Sequence, residues 1–287
     1  MRYHCDRFAS LQATILSVAE TQLDWIQVVV LALVQGFTEF LPVSSSAHLV
    51  LMPVLVGWPD QGLAFDVALH IGTLVAVVWF FRRDIANMAG AWVQSITQRR
   101  LTPDAKLAWA VLLGTIPVGL AGLLFKDVVA THLRSPVVLA WGMIIFGLVL
   151  GWADMRRHAE RSLPEMTWKT VTFIAFAQAL ALIPGTSRSG ITLTAGLFAG
   201  LSRDAAARFS FLLSIPVILL AGGLEGIELA SSPDPVDWNA LMLGTAVAAV
   251  SAYVCIRMFL ALIKRIGMWP FVLYRIILGV VLIAIFG

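Results

Sequence analysis

Apolar residues run through this chain in long uninterrupted stretches, not with the period of a half-buried helix or strand. Segments 107–125 and 135–153 contain no Asp, Glu, Lys or Arg, and each is close to the ~20 residues that a helix needs to cross a bilayer. Segments 67–81, 209–224 and 240–256 are also free of those four residue types and extend into apolar flanks, and 267–287 carries Arg275 as its one intruder. The pattern predicts six transmembrane helices.

Two further apolar stretches, 25–58 and 170–202, are too long for one span. The first is broken at Pro42-Val43-Ser44-Ser45-Ser46 and the second at Pro184-Gly185-Thr186-Ser187-Arg188-Ser189-Gly190. Proline ends a helix by removing a donor and clashing with the preceding turn. The arms on either side are short for a span, so each stretch reads as a re-entrant helix-loop-helix hairpin with its tip at mid-membrane. Backbone at that depth survives only where protein or water satisfies it. The expected fold class is an all-α polytopic membrane protein: one domain over 25–287, preceded by a surface segment over 1–24.

Composition narrows the class. Of 287 residues, 59% are hydrophobic and 13% charged, against ~45–50% and ~25% in soluble domains, and the mean hydropathy is +0.88. A soluble enzyme, a disordered chain and a disulfide scaffold are all excluded. The net charge of +3 is no nucleic-acid footprint, and none is expected as a partner. Cys5 and Cys255 form no redox or metal pattern.

Loop charges set the topology. Arg82, Arg83, Arg99, Arg100 and Lys106 precede the second span; Arg156, Arg157, Arg161 and Lys169 follow the third. Arg203 and Arg208, then Arg257, Lys264 and Arg265, make two more basic clusters. The 225–238 loop has only acids, and 126–134 only Lys126 and Arg134 as bases. Basic loops mark the cytoplasm. By parity the first hairpin enters from outside and the second from inside. Aligned on Pro42 and Pro184, the two stretches form an inverted repeat, about 25–125 and about 170–287, with a glutamine (Gln35, Gln178) ahead of each break. Broken helices in such repeats build sites from their free ends.

Polar residues at membrane depth mark function by default. The first hairpin holds Gln35, Glu39, Ser44, Ser45, Ser46 and His48; Gln35 and Glu39 share one helix face. The second holds Thr186, Ser187, Arg188 and Ser189 between Gly185 and Gly190. A Gly/Ser-rich turn opening a helix suits phosphate, and the Arg188 fork adds bidentate contact. One tip looks built for an anion, the other for hydrolysis. Blander readings stand beside these. Ser44 and Ser46 can serve as helix glue, His48 as packing, Asp66 and His70 as an interfacial cap pair. Arg275 either pairs with a pocket acid or snorkels to the surface.

The run Gln35-Gly36-Phe37-Thr38-Glu39-Phe40-Leu41-Pro42-Val43-Ser44-Ser45-Ser46-Ala47-His48-Leu49 resembles the first signature of the undecaprenyl-diphosphatase family, also called bacitracin-resistance proteins. Pro184 through Gly190 looks like its second, and Phe65-Asp66-Val67-Ala68-Leu69-His70-Ile71-Gly72 resembles a third block. The resemblance runs from about Trp25 to the C-terminus. It implies hydrolysis of undecaprenyl diphosphate to the monophosphate carrier of cell-wall synthesis, with a divalent cation, Mg²⁺ or Ca²⁺, at a site opening to the outer face of the bacterial inner membrane. Glu39 then matches the essential acid, His48 the essential histidine and Ser45 the candidate nucleophile, with a water as the other attacking group. Arg188 matches the diphosphate clamp, with Gly185, Thr186, Ser187 and Ser189 around it and Gln35, Ser44 and Ser46 as further substrate contacts. The family has Glu or Gln at the place of Gln35; the amide here supplies no charge to a metal, which makes Asp66 the next metal candidate after Glu39, or the group that orients His48. A homodimer is a candidate assembly. The rival class is a prenyl-phosphate transporter or flippase on the same inverted-repeat fold.

Overall fold

A computed structural model describes residues 23–132, 135–156, 160–230 and 237–287, with the side chains of 126–132 and 228–230 left aside. The surface segment expected over 1–24 lies outside the described residues apart from Leu23 and Asp24, as do the side chains of the outer-loop bases Lys126 and Arg134. The described regular structure is helical. In chain order the α-helices are α1 (Trp25–Thr38), α2 (Ser45–Val56), α3 (Gly62–Phe80), α4 (Arg82–Thr97), α5 (Pro103–His132), α6 (Pro136–Met155), α7 (Trp168–Ala179), α8 (Arg188–Phe198), α9 (Arg203–Ala230), α10 (Trp238–Ile266) and α11 (Trp269–Phe286).

Six of them, α3, α5, α6, α9, α10 and α11, are long and apolar enough to cross a membrane. The chain is a multi-pass membrane protein. The arms α1, α2, α7 and α8 have 14, 12, 12 and 11 residues. At 1.5 Å per residue none exceeds about 21 Å, short of the ~30 Å hydrocarbon layer, so both pairs turn back as hairpins. One element departs from the sequence reading. The basic 82–106 connection, expected as a loop, forms the amphipathic helix α4. It buries Met88 and packs along α5, where the Trp92 and Trp109 rings meet at 5.7 Å, tilted 57° to each other, and the Trp109 indole donates to Ser95 Oγ at 3.0 Å.

The two hairpins turn alike. The residue before α2 is Ser44 and the residue before α8 is Ser187, with φ of 72° and 70°. That left-handed backbone is rare for a residue with a Cβ. Each serine hydroxyl lies beside that of the residue two further on, Ser44 to Ser46 at 3.3 Å and Ser187 to Ser189 at 3.1 Å. Equating Ser44 with Ser187 also superposes Gln35 on Gln178, since 44 to 187 and 35 to 178 are both steps of 143. Alignment on the prolines was therefore one residue out of register. The turn conformation, not the proline, is the repeated feature.

Packing follows the same pairing. Helix α10 lies along α1 and α3, and α5 lies along α7 and α9; α3 meets α9, and α6 meets α11. Helix α6 is flanked on both sides by re-entrant arms: α8 packs on it directly, while Ala47 and Leu51 of α2 join Leu139, Ala140, Met143 and Leu282 in one cluster. The partner of α6 in this pattern is α11, so the pairing takes in a helix that the sequence repeat left out. Large apolar side chains cover the outside, as at Leu123, Leu124 and Trp79, whereas Gln35, Glu39, Gln178, Ser189, Ser210 and Arg275 are buried. That inversion suits a chain whose solvent is lipid.

Candidate active site

Glu39 follows the last turn of α1 and is 8% exposed. A carboxylate at this depth is costly unless it is paired and fully hydrogen-bonded. Four elements supply its partners. From its own helix, Gln35 Nε2 donates to Oε2 at 3.0 Å. From the first residue of α2, Ser45 Oγ donates to the same oxygen at 2.7 Å. From the first residue of α8, Arg188 Nη2 donates to Oε1 at 2.9 Å. From α3, His70 Nε2 stands 3.9 Å from Oε2. The two tips thus meet at one carboxylate, and Ser45 and Arg188, which reach it from opposite hairpins, are equivalent positions of the repeat.

Arg188 is 13% exposed at its side chain. Besides Glu39 it donates to the Ser210 carbonyl at 3.1 Å. A guanidinium has five N–H donors, so three remain for an incoming anion. The start of α2 adds backbone donors: Ser44 makes no side-chain cap there, and the first N–H groups of a helix attract phosphate.

His48 stands apart from this group. Its Nδ1 lies 2.7 Å from the Ser44 carbonyl, an acceptor only, so Nδ1 carries the proton and donates. Its Nε2 then accepts from the Tyr274 hydroxyl at 2.5 Å, and the two rings stack 7° from parallel at 5.6 Å. His48 lies three residues after Ser45, on the same face of α2. Asp66 does not orient it: the Asp66 carboxylate accepts from Gln61 at 2.9 Å, and its backbone carbonyl faces His70 Nδ1 at 2.8 Å.

The other residues expected at the second tip hold the hairpin in shape. Ser187 Oγ accepts from the Gly190 N–H at 3.1 Å, and Ser189 Oγ donates to the Leu41 carbonyl of the first hairpin at 2.7 Å. Thr186 is fully buried, its hydroxyl without a partner. Gly185, at φ 82°, presses on α6 so closely that a Cβ there would lie 2.1 Å from the Leu139 carbonyl. Ser46 is exposed. Of that motif, Arg188 is the side chain left open to a ligand.

Arg275 corrects the reading of it as a surface-seeking or acid-paired charge. It is 0% exposed and donates to four carbonyls: Met143 at 3.1 Å, Gly142 at 3.3 Å, Pro42 at 3.1 Å and Gly185 at 2.8 Å. Two of these belong to the broken tips, whose carbonyls have lost their helical partners. Arg275 replaces both sets at once and ties the hairpins to α6.

The protein groups do not make a resident divalent-cation site. Mg²⁺ and Ca²⁺ need a shell of six or more oxygens. Glu39 already accepts from three donors, one of them a guanidinium that repels a cation. Among the described residues no three of His, Cys, Asp and Glu gather as ligands.

Two residues of this neighbourhood were undervalued by sequence reasoning. His70 was weighed as a cap, although it sits on an apolar span, where a titratable group is itself a signal. Tyr274 gave no signal beyond adjacency to Arg275.

A family model described as bacitracin resistance protein BacA matches residues 28–281. Undecaprenyl-diphosphatase 2 of Stutzerimonas stutzeri is 58% identical over 268 residues, covering 92% of this chain and 99% of that protein. Undecaprenyl-diphosphatases of Nitrosococcus oceani and Thioalkalivibrio sulfidiphilus are 54% and 57% identical over 265 residues, each covering 92% of this chain and all of the relative.

Proposed function

The chain belongs to the bacitracin resistance protein BacA family, and from that premise we propose that the Glu39 centre is where it hydrolyses undecaprenyl diphosphate. The products are undecaprenyl monophosphate and inorganic phosphate, and the reaction recycles the lipid carrier for cell-wall synthesis. The relatives are named for a diphosphatase, which favours hydrolysis over the transporter alternative. The observation that carries the site assignment is the convergence of Ser45 and Arg188, from opposite hairpins, on the two oxygens of Glu39 at 2.7 and 2.9 Å.

The free donors of Arg188 and the N-terminus of α2 hold the diphosphate, where fixed donors act with little reorganisation. Ser45 Oγ attacks the terminal phosphorus. Glu39 Oε2, already accepting the Ser45 proton, is the base, and phosphoryl transfer needs little beyond positioning and charge compensation. The Oγ–P bond forms as the anhydride P–O bond breaks, and the lipid monophosphate leaves with the electron pair. Water then hydrolyses the phosphoserine, returning a proton to Oγ and releasing hydrogen phosphate. His48, on the Ser45 face of α2, holds the start of that helix in place through the Ser44 carbonyl.

The prenyl tail stays in the bilayer, against the apolar exterior of the helices. The protein sits in the bacterial inner membrane with the site open to the outer side, because the bases gather on the loops at the other side. Purified protein in detergent should release phosphate from undecaprenyl diphosphate over many turnovers, and Ser45→Ala should stop it. Unimpaired release by Ser45→Ala would leave water as the attacking group.

A further inference from the structure

His70 has two fixed neighbours. Its Nδ1 lies 2.8 Å from the Asp66 backbone carbonyl, which can only accept, so Nδ1 carries a proton. Its Nε2 stands 3.9 Å from Glu39 Oε2. In a neutral ring that nitrogen presents a lone pair to a carboxylate oxygen, and two acceptors facing each other repel. The arrangement becomes attractive when one proton is shared between them. Glu39 meanwhile accepts from the hydroxyl of Ser45 through the same oxygen. Ser45 and His70 therefore flank one carboxylate oxygen, Glu39 Oε2. Glu39 is 8% exposed and His70 31%, so His70 is the more open of the two. His48 offers no such exit from Glu39, since both its nitrogens are engaged by Ser44 and Tyr274.

We propose that His70 is the proton-relay partner of Glu39. This rests on the reading of Ser45 as the attacking group. The proton leaving Ser45 Oγ passes to Glu39 Oε2 and on to His70 Nε2, and His70 releases it on the outer side. The balance closes. A trianionic lipid diphosphate and water yield a dianionic lipid monophosphate, a hydrogen phosphate dianion and one proton, and that proton is the one His70 carries. His70 is a positioning and relay residue acting through Glu39. Gln35 cannot take its place, because an amide bonded to Glu39 holds no exchangeable charge.

The test uses the full-length protein in detergent, with farnesyl diphosphate as probe and phosphate release as readout. Wild-type protein is measured first, and absence of release there overturns the hydrolase reading itself, apart from any variant. His70→Ala should lower kcat about 100-fold, the lower end of what a positioned proton acceptor contributes, with KM changed less than about two-fold. Added imidazole should recover about ten-fold of that loss, as a purely structural role would not allow. His70→Gln carries the test should His70→Ala fail to fold. Adding Gln35→Glu to His70→Gln should restore turnover, because neighbouring carboxylates share a proton. Full activity in both single variants overturns the relay. A loss that neither imidazole nor the second carboxylate relieves overturns it as well.

Discussion

Arg188 is the side chain whose removal separates the two jobs of the centre. Arg188 and Glu39 are 13% and 8% exposed, and their charges lie about 4 Å apart, worth about 4 kcal/mol at an effective dielectric of 20. Arg188→Ala deletes that attraction and leaves Glu39 buried with two neutral donors, Ser45 and Gln35. Breaking a buried pair on one side costs about 3–5 kcal/mol. On the proposed mechanism the same substitution removes the donors that hold the diphosphate, so a loss near 4 kcal/mol in the transition state lowers kcat/KM about 1,000-fold.

The stability and activity losses come apart in the double variant. Glu39→Gln with Arg188→Ala removes both charges, so most of the lost thermal stability should return while activity stays absent. Arg188→Lys keeps one charge but cannot reach the Ser210 carbonyl and Glu39 together as a fork does, and it should fall between. The assays are thermal unfolding in detergent and phosphate release from a prenyl diphosphate. Arg188→Ala retaining more than about a tenth of wild-type kcat/KM, a barrier change of only ~1.4 kcal/mol, would refute the clamp. A double variant no more stable than Arg188→Ala would refute the pairing energy.

Arg275→Leu should unfold at markedly lower temperature and lose activity, because four buried carbonyls lose a charged donor at about 1.5–3 kcal/mol each; both are read in the assays above. Gly142→Ala should abolish turnover, since its Cβ would lie 2.2 Å from the Pro184 carbonyl and push the second tip off α6, while Gly90→Ala, with open space around it, should be silent. Single cysteines replacing Asp60 and Arg161 should react with impermeant maleimide from opposite sides of the membrane; labelling from one side would break the inverted topology.

The spans were legible because lipid imposes a simple rule: twenty apolar residues without charge have few other places to be. The hairpins were legible because Pro42 and Pro184 interrupt stretches too short to cross twice. Glu39 and Arg188 stood out because charge at membrane depth needs a reason, and the two meet as a buried ion pair. Less visible were contacts that join distant segments. Arg275 looked like a stray charge because its partners are backbone carbonyls, which every residue has and no sequence pattern advertises. Tyr274 meets His48 across 226 residues. Alignment on the prolines falls one residue out of register because the turn lies at Ser44 and Ser187, whose positive φ carries no mark in the residue type.

The repeat explains why one site suffices where symmetry offers two. With Ser44 on Ser187, Ser45 falls on Arg188, Glu39 on Leu182 and His48 on Ile191. The first hairpin kept the acid, the hydroxyl and the imidazole, and the second kept the cation. Gln35 and Gln178 remain alike, both buried with an amide oxygen lacking a partner, so the shared scaffold persists where the chemistry has diverged. Two helix N-termini pointed at one spot from opposite leaflets would by themselves favour an anion equally from both sides. Placing Glu39 on one arm alone repels that anion from its own position and recruits Arg188 across the pseudo-axis. The result is one asymmetric centre, in which the carboxylate and the guanidinium are bonded to each other at 2.9 Å. In the proposed reaction that asymmetry gives the two phosphates of the substrate different surroundings.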